Sequence, residues 1–161
     1  NLNINHLITI VSNPLHKPKI VDKPWGREIW FADQKMYAGK ILEVTKGKRL
    51  SLQYHERKTE TLYLVSGKVK LTYRELQPGE KHESAPINEK NEFIWEPGLG
   101  VHIPGSQINS FFWEPGLGVH IPVRTIHRFE ALEDSVLLEA STPDLTDVVR
   151  LQDDYARPAR D

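Results

Sequence analysis

The chain has 161 residues, with 21 Lys and Arg against 22 Asp and Glu, a formal net charge of −1, 39% hydrophobic residues and no cysteine. That length suits one domain with a single core; the near-neutral charge argues against nucleic acid or a membrane surface as partner, and the lack of cysteine excludes disulfides and thiolate metal sites. No apolar run approaches the length of a membrane span and no signal peptide is read at the start, which begins at Asn1 rather than Met and is expected to be trimmed, so the expected location is the cytoplasm.

Residues 1–22 read as an N-terminal extension. Its apolar run, His6-Leu7-Ile8-Thr9-Ile10-Val11, is closed by Ser12-Asn13-Pro14 and suits an extra strand on a sheet edge or one reaching to a partner subunit; a frayed leader is the alternative. The main domain spans 23–161. Glu28-Ile29-Trp30-Phe31 and Met36 to Val44 are strand-like, and in the second Lys40, Leu42 and Val44 share a face. A lysine beside core aliphatics is unusual, unless it snorkels to water from a strand end.

From Gly47 to Gly67 the chain reads as two strands joined by the polar turn Glu56-Arg57-Lys58-Thr59. Lys68 to Tyr73 alternates like a half-exposed strand, and Gln77 to Asn91, with Pro78-Gly79 and Pro86, reads as a loop. Trp95-Glu96-Pro97-Gly98-Leu99-Gly100-Val101-His102-Ile103-Pro104 recurs unchanged as Trp113 to Pro122, within a tandem repeat over 93–111 and 111–129. Both copies cannot occupy one strand position. Only the second leads to a histidine, His127, where the first has Asn109, so copy two is placed in the main fold and copy one in an inserted hairpin or neighbouring strand pair. Residues 144–155 alone carry a helix signal, with Val148, Val149 and Leu151 on it. Many short strands between turn residues point to an all-β antiparallel barrel or jelly roll.

The chemistry centres on Gln53, His55 and Glu60. Period-two geometry puts Gln53 and His55 on one face of a strand, and an adjacent antiparallel strand opening at Glu60 would bring a carboxylate to them. An amide, an imidazole and a carboxylate make three-quarters of a divalent metal site, and His127, after a proline-marked bend, is the candidate fourth ligand. His102 and His120 hold one repeat position between valine and isoleucine and are expected to be exposed non-ligands; His6, His16 and His82 fall in loops or the extension. Arg49, Ser51, Gln53 and His55 share a face, so Arg49 could line the barrel mouth, and Arg124, three residues before His127, has a guanidinium suited to phosphate. Arg128 should point outward as a surface charge. The tryptophans are expected in the core or at an interface rather than as a sugar platform.

The spacing of Gly47, Gln53, His55, Glu60 and Gly67 resembles the first motif of the cupin superfamily, with Gln in place of its first His. Gly116, Pro122 and His127 fit the second motif, with Arg124 where glycine is usual. Within the superfamily, Ser51-Leu52-Gln53-Tyr54-His55 and Lys23-Pro24-Trp25-Gly26 resemble the C-terminal cupin domain of the type II, bifunctional mannose-6-phosphate isomerases, over residues 23 to 140. The chain is too short to hold the nucleotidyltransferase half of those enzymes.

The resemblance implies a single-domain cupin with little helix. It implies one divalent ion, Zn²⁺ first and Mn²⁺, Fe²⁺, Co²⁺ or Ni²⁺ also suited, held by Gln53, His55, Glu60 and His127. It further implies a homodimer and a sugar phosphate as substrate; for that substrate the residues themselves offer Arg49 and Arg124 for the phosphate and Lys40 and Lys58 as catalytic candidates. The reaction implied is aldose–ketose isomerisation, in which a base moves a proton between C1 and C2 through an enediol with Lewis-acid assistance. Two alternatives stand beside it. One is a metal-binding cupin that binds a sugar or sugar nucleotide without turnover; the other is a cupin sugar-nucleotide epimerase.

Overall fold

A computed structural model describes residues 15–81, 93–95 and 109–159, and among these residues it is built from strands without a helix. The strands are β1 (Lys19–Lys23), β2 (Gly26–Asp33), β3 (Ala38–Val44), β4 (Leu52–Tyr54), β5 (Glu60–Ser66), β6 (Val69–Glu75), β7 (Phe93–Trp95), β8 (Asn109–Trp113), β9 (Gly118–Ile121), β10 (Thr125–Ala131), β11 (Ser135–Ser141) and β12 (Val149–Gln152). Alternation explains them. In β5, Glu60, Leu62 and Leu64 are buried while Thr61, Tyr63 and Val65 are exposed, as a strand with one covered face requires.

Two six-stranded sheets result, sheet A in the order β1-β2-β3-β11-β5-β9 and sheet B in the order β12-β4-β10-β6-β8-β7. Every strand pair is antiparallel except β7 with β8. The all-β, jelly-roll-like cupin architecture expected from the sequence is the one found. Trp25, Leu42, Leu62, Leu64, Leu71, Trp113, Phe129 and Leu137 form the main core between the sheets. A second cluster of Leu52, Tyr54, Leu76, Ile126 and Val149 lies on the opposite side of sheet B, since these alternate with Gln53 and His127.

Three expectations change. The segments carrying Gln53 and Glu60 are not a hairpin: β4 pairs with β10 and β12, whereas β5 pairs with β11 and β9. The turn at 55–59 carries the chain from one sheet to the other, so the ligand candidates converge across the barrel. Residues 144–155 form turns and β12, because Val149 is drawn into ladder pairing with Tyr54. β1 begins inside the expected extension and is the edge of sheet A. The apolar run at His6–Val11, the loop beyond residue 81 and most of the first repeat copy lie outside the described residues. The second copy supplies β9 and leads into β10.

Backbone conformation accounts for two motif positions. Gly67 has φ 89, and a Cβ there would stand 2.4 Å from the carbonyl oxygen of Asp134. Arg124, at the position where glycine is usual, has φ 58. A side chain in that left-handed region costs roughly 1–2 kcal/mol. The Arg124 guanidinium donates to the Glu80 carbonyl at 2.6 Å, which offsets part of that cost.

After β12 the turn is held by Asp153, which accepts from Tyr155 N at 3.2 Å and from Arg157 N at 2.8 Å, and which also pairs with the Arg157 side chain. Burial alone would push the Asp153 carboxyl up, but the Arg157 hydrogen bonds and charge outweigh it and hold it below its ordinary value. A carboxyl depressed by folding contributes stability above its unfolded pKa of about 3.9 and loses that contribution as pH falls through the folded value. Asp153→Asn is therefore expected to cost about 1–2 kcal/mol at pH 7. The gap to wild type should close as pH drops below the ordinary carboxylate range, which urea unfolding over a pH series measures. A gap unchanged at the lowest pH would show that the charge contributes nothing.

Candidate metal centre

Glu60 opens β5 in sheet A, His127 lies in β10 of sheet B, and His55 follows β4 in the crossing between the sheets. Their donor atoms lie within 4.8 Å of one another, and all three residues are buried. Glu60 Oε1 stands 3.2 Å from His127 Nε2 and 3.7 Å from His55 Nε2. Gln53 is the direct cross-strand partner of His127 and lines the same cavity, its Oε1 accepting from Ser51 Oγ at 2.6 Å.

Both imidazoles are fixed from behind. His55 Nδ1 contacts the Asp147 carbonyl, and His127 Nδ1 lies 2.9 Å from the Thr125 carbonyl. A carbonyl only accepts, so Nδ1 carries the hydrogen and, in the neutral ring, Nε2 turns a lone pair inward. Both Nε2 atoms are buried without a hydrogen-bond partner. Two lone pairs aimed at a carboxylate oxygen leave three acceptors facing one point, an arrangement unfavourable without a cation. A divalent ion held by two imidazole nitrogens, the Glu60 carboxylate and the Gln53 amide oxygen fits this donor set.

The Asp147 side chain fixes the turn itself, accepting from Arg57 N at 2.6 Å and Lys58 N at 2.9 Å. Lys58 is turned inward and buried, and its ammonium bridges Glu60 Oε2 and Glu139 Oε1, the latter at 2.8 Å. Burial opposes its charge, yet the Glu60 and Glu139 carboxylates more than offset this and raise its pKa above the ordinary lysine value. Burial would likewise push the Glu60 carboxyl up, but the Lys58 ammonium outweighs it and holds the carboxyl well below the carboxylate range.

Lys40 is buried in β3, its Nζ 3.7 Å from Glu28, 3.9 Å from Glu139 and 4.9 Å from the centre of the Trp30 ring. This lysine faces the interior and does not snorkel out. The cavity, about 280 Å³, is lined by Lys19, Lys23, Lys40, Lys58, Arg150 and Arg157 against Glu28, Glu60 and Glu139. Six cations face three carboxylates, so the cavity is net positive before any metal is counted.

Lys40, Lys58, Gln53, His55 and Glu60 thus line one cavity, with His127 behind it at 3.2 Å from Glu60; Arg49 and Arg124 do not line it. Arg49 pairs with Asp154 at 2.6 Å on the surface, and Arg124 reaches Glu80 instead. Arg128 points away from the cavity as expected but is buried rather than a surface charge, its Nη2 3.4 Å from the Gln152 carbonyl. His120 is exposed and paired with Thr61, and His16 meets the Phe31 carbonyl; neither joins the cluster. His6, His82 and His102 lie outside the described residues. Trp25 and Trp113 are core, and Trp25 and Trp30 border the cavity.

Sequence reasoning missed Glu28 and Glu139. The available signal was a lone carboxylate in each of two apolar strands, Glu-Ile-Trp-Phe and Val-Leu-Leu-Glu-Ala.

Comparison with known proteins follows the same lines. The family model described as mannose-6-phosphate isomerase C-terminal matches residues 12–96, more than half of the chain. No curated protein matches. Among solved structures, KdgF from Halomonas sp. is 18% identical with a TM-score of 0.51, over 78% of this chain and 87% of that one. The capsular polysaccharide assembling protein CapF from Staphylococcus aureus is 16% identical with a TM-score of 0.57, over 86% of this chain and 35% of that one. Oxalate decarboxylase of Bacillus subtilis, described with Mn(II) centres, is 19% identical with a TM-score of 0.57, over 84% and 30%. The chain thus spans about a third of the latter two proteins, and at these identities the likeness is one of fold.

Proposed function

The chain belongs to the mannose-6-phosphate isomerase C-terminal family, and from that premise we propose that it is a metal-dependent sugar-phosphate isomerase interconverting an aldose and a ketose. The observation that carries this reading is the pair of orphaned Nε2 atoms facing Glu60, a carboxylate that lines a net-positive cavity. Gln53, His55, Glu60 and His127 hold the ion, with Zn²⁺ first among the candidates. When bound, it supplies Lewis acidity toward adjacent sugar oxygens.

Lys58, kept charged by its two carboxylates, is suited to stabilising negative charge at the reacting oxygens rather than to accepting a proton. Lys40 lies on the same inner face and remains the candidate for proton handling. The phosphate, assigned from the sequence to Arg49 and Arg124, is better matched by Lys19 and Lys23, which share the inward face of β1 at the cavity. A homodimer and a cytoplasmic location complete the reading. Among the described residues no helix is long and apolar enough to cross a membrane.

Turnover of mannose 6-phosphate within a panel of hexose phosphates, with and without chelator, tests this. Activity is expected with the phosphorylated sugar, to be lost on chelation and restored by a divalent ion. Lys19→Ala with Lys23→Ala should raise KM about tenfold or more, as loss of charge-assisted hydrogen bonds does, while Arg124→Ala should leave KM near wild type. Metal-loaded protein that turns over none of the panel would favour the non-catalytic sugar-binding alternative.

A further inference from the structure

The chain from His55 to Glu60 carries two of the candidate ligands and the crossing between them. The shape of this short turn therefore sets how His55 stands to Glu60, 3.7 Å apart between Nε2 and Oε1. Its backbone groups find their partners on the segment that follows β11. Thr59 N donates to Thr142 Oγ1 at 3.2 Å, Thr142 N donates to the Thr59 carbonyl at 3.1 Å, and Arg57 Nε reaches Asp144 at 3.2 Å. Asp147 holds the turn with its main chain and its side chain together. Its carbonyl receives His55 Nδ1, while a single carboxylate oxygen, Oδ2, accepts from Arg57 N at 2.6 Å and from Lys58 N at 2.9 Å.

Thr146 and Val148, the chain neighbours of Asp147, line the cavity, whereas Asp147 does not. Its carboxylate is turned toward the turn and away from anything the cavity holds. Lys58 is buried, so water does not replace an acceptor lost at its amide, and a turn left with such an amide must rearrange to satisfy it. Rearrangement moves two things at once. His55 shifts against Glu60, and so does the Lys58 ammonium, which occupies Glu60 Oε2 while Oε1 faces the two imidazoles.

We infer that Asp147 is a positioning residue for the metal centre, its carboxylate clamping the turn between His55 and Glu60 and thereby setting metal affinity. The inference rests on the metal centre in the reading above and names a residue outside its donor set. Titration of the metal-free chain with Co²⁺ alone tests it, read by the dissociation constant and by the visible absorption bands, which follow the ligand geometry around that ion. Asp147→Ala keeps the carbonyl on His55 and loses both carboxylate contacts. It is expected to weaken Co²⁺ binding by about 10–100-fold and to shift the bands. Asp147→Asn keeps an oxygen for the two amides without the charge, and its affinity is expected to fall between alanine and wild type. Asp153→Asn loosens a turn that touches no ligand, so it is expected to lower stability and leave Co²⁺ affinity and bands unchanged, which separates the clamp from general destabilisation. Near-ultraviolet circular dichroism establishes that each variant is folded. Wild-type affinity and bands in folded Asp147→Ala overturn the clamp and leave the metal centre standing. Should the alanine variant not fold, Asp147→Asn decides, and an affinity equal to wild type overturns the clamp. A wild type that takes up no Co²⁺ overturns the centre and the clamp together.

Discussion

Purified protein is expected to carry about one divalent ion per chain, and His127→Ala or His55→Ala to weaken its binding by at least about a hundredfold. Each imidazole is a direct donor whose Nδ1 is fixed to a backbone carbonyl, so its Nε2 points at the site before any ion arrives. Removing either ring leaves an incomplete shell around a buried carboxylate. That loss should exceed the roughly 10–100-fold typical when an outer partner of a ligand is removed. His120→Ala, on the solvent face of β9, should leave metal content at the wild-type level. Elemental analysis after gel filtration measures all three proteins. Full retention in both buried-histidine variants would rule out this centre.

Glu139→Ala is expected to lower stability by about 3–5 kcal/mol, the usual cost of stranding a buried charge. Its carboxylate receives Lys58 at 2.8 Å and Ser141 at 2.9 Å and lies 3.9 Å from Lys40. Without it, Lys58 keeps only Glu60 and Lys40 only Glu28. At about 2–4 °C per kcal/mol for a chain of this size, the melting temperature should fall by roughly 10 °C. Adding Lys40→Met should recover part of the loss, since it removes one stranded ammonium; such non-additivity is expected of residues in one network. Urea unfolding of the single and double variants gives the numbers. A cost below about 1 kcal/mol for Glu139→Ala would mean that water, not the carboxylate, solvates the lysines.

The sequence by itself determined the fold class and the ligand set to be proposed. Short alternating runs between turn residues leave few alternatives to a barrel or jelly roll, and the positions of Gln53, His55, Glu60 and His127 follow from spacing along two segments. It also separated the two repeat copies, because only one leads to a histidine. Left-handed backbone explains why glycine is usual where Arg124 stands, a constraint the pattern recorded before its cause was visible.

Only the tertiary structure decided which charges reach those ligands. Lys58 and Glu139 are 81 residues apart in the sequence and meet because β5 and β11 pair. The same pairing across the sheet brings Lys40 and Glu28 into the cavity and leaves Arg49 and Arg124 outside it. Local pattern misleads at these strands. In β3 and β11 the charged Lys40 and Glu139 face inward beside Leu42, Val44 and Leu137, while Ile41 and Leu138 face out, so neither face is wholly apolar or wholly polar. A period-two rule assigns the two faces but not which one is covered. That depends on what the opposite sheet presents, and here sheet B presents His127 and Gln53.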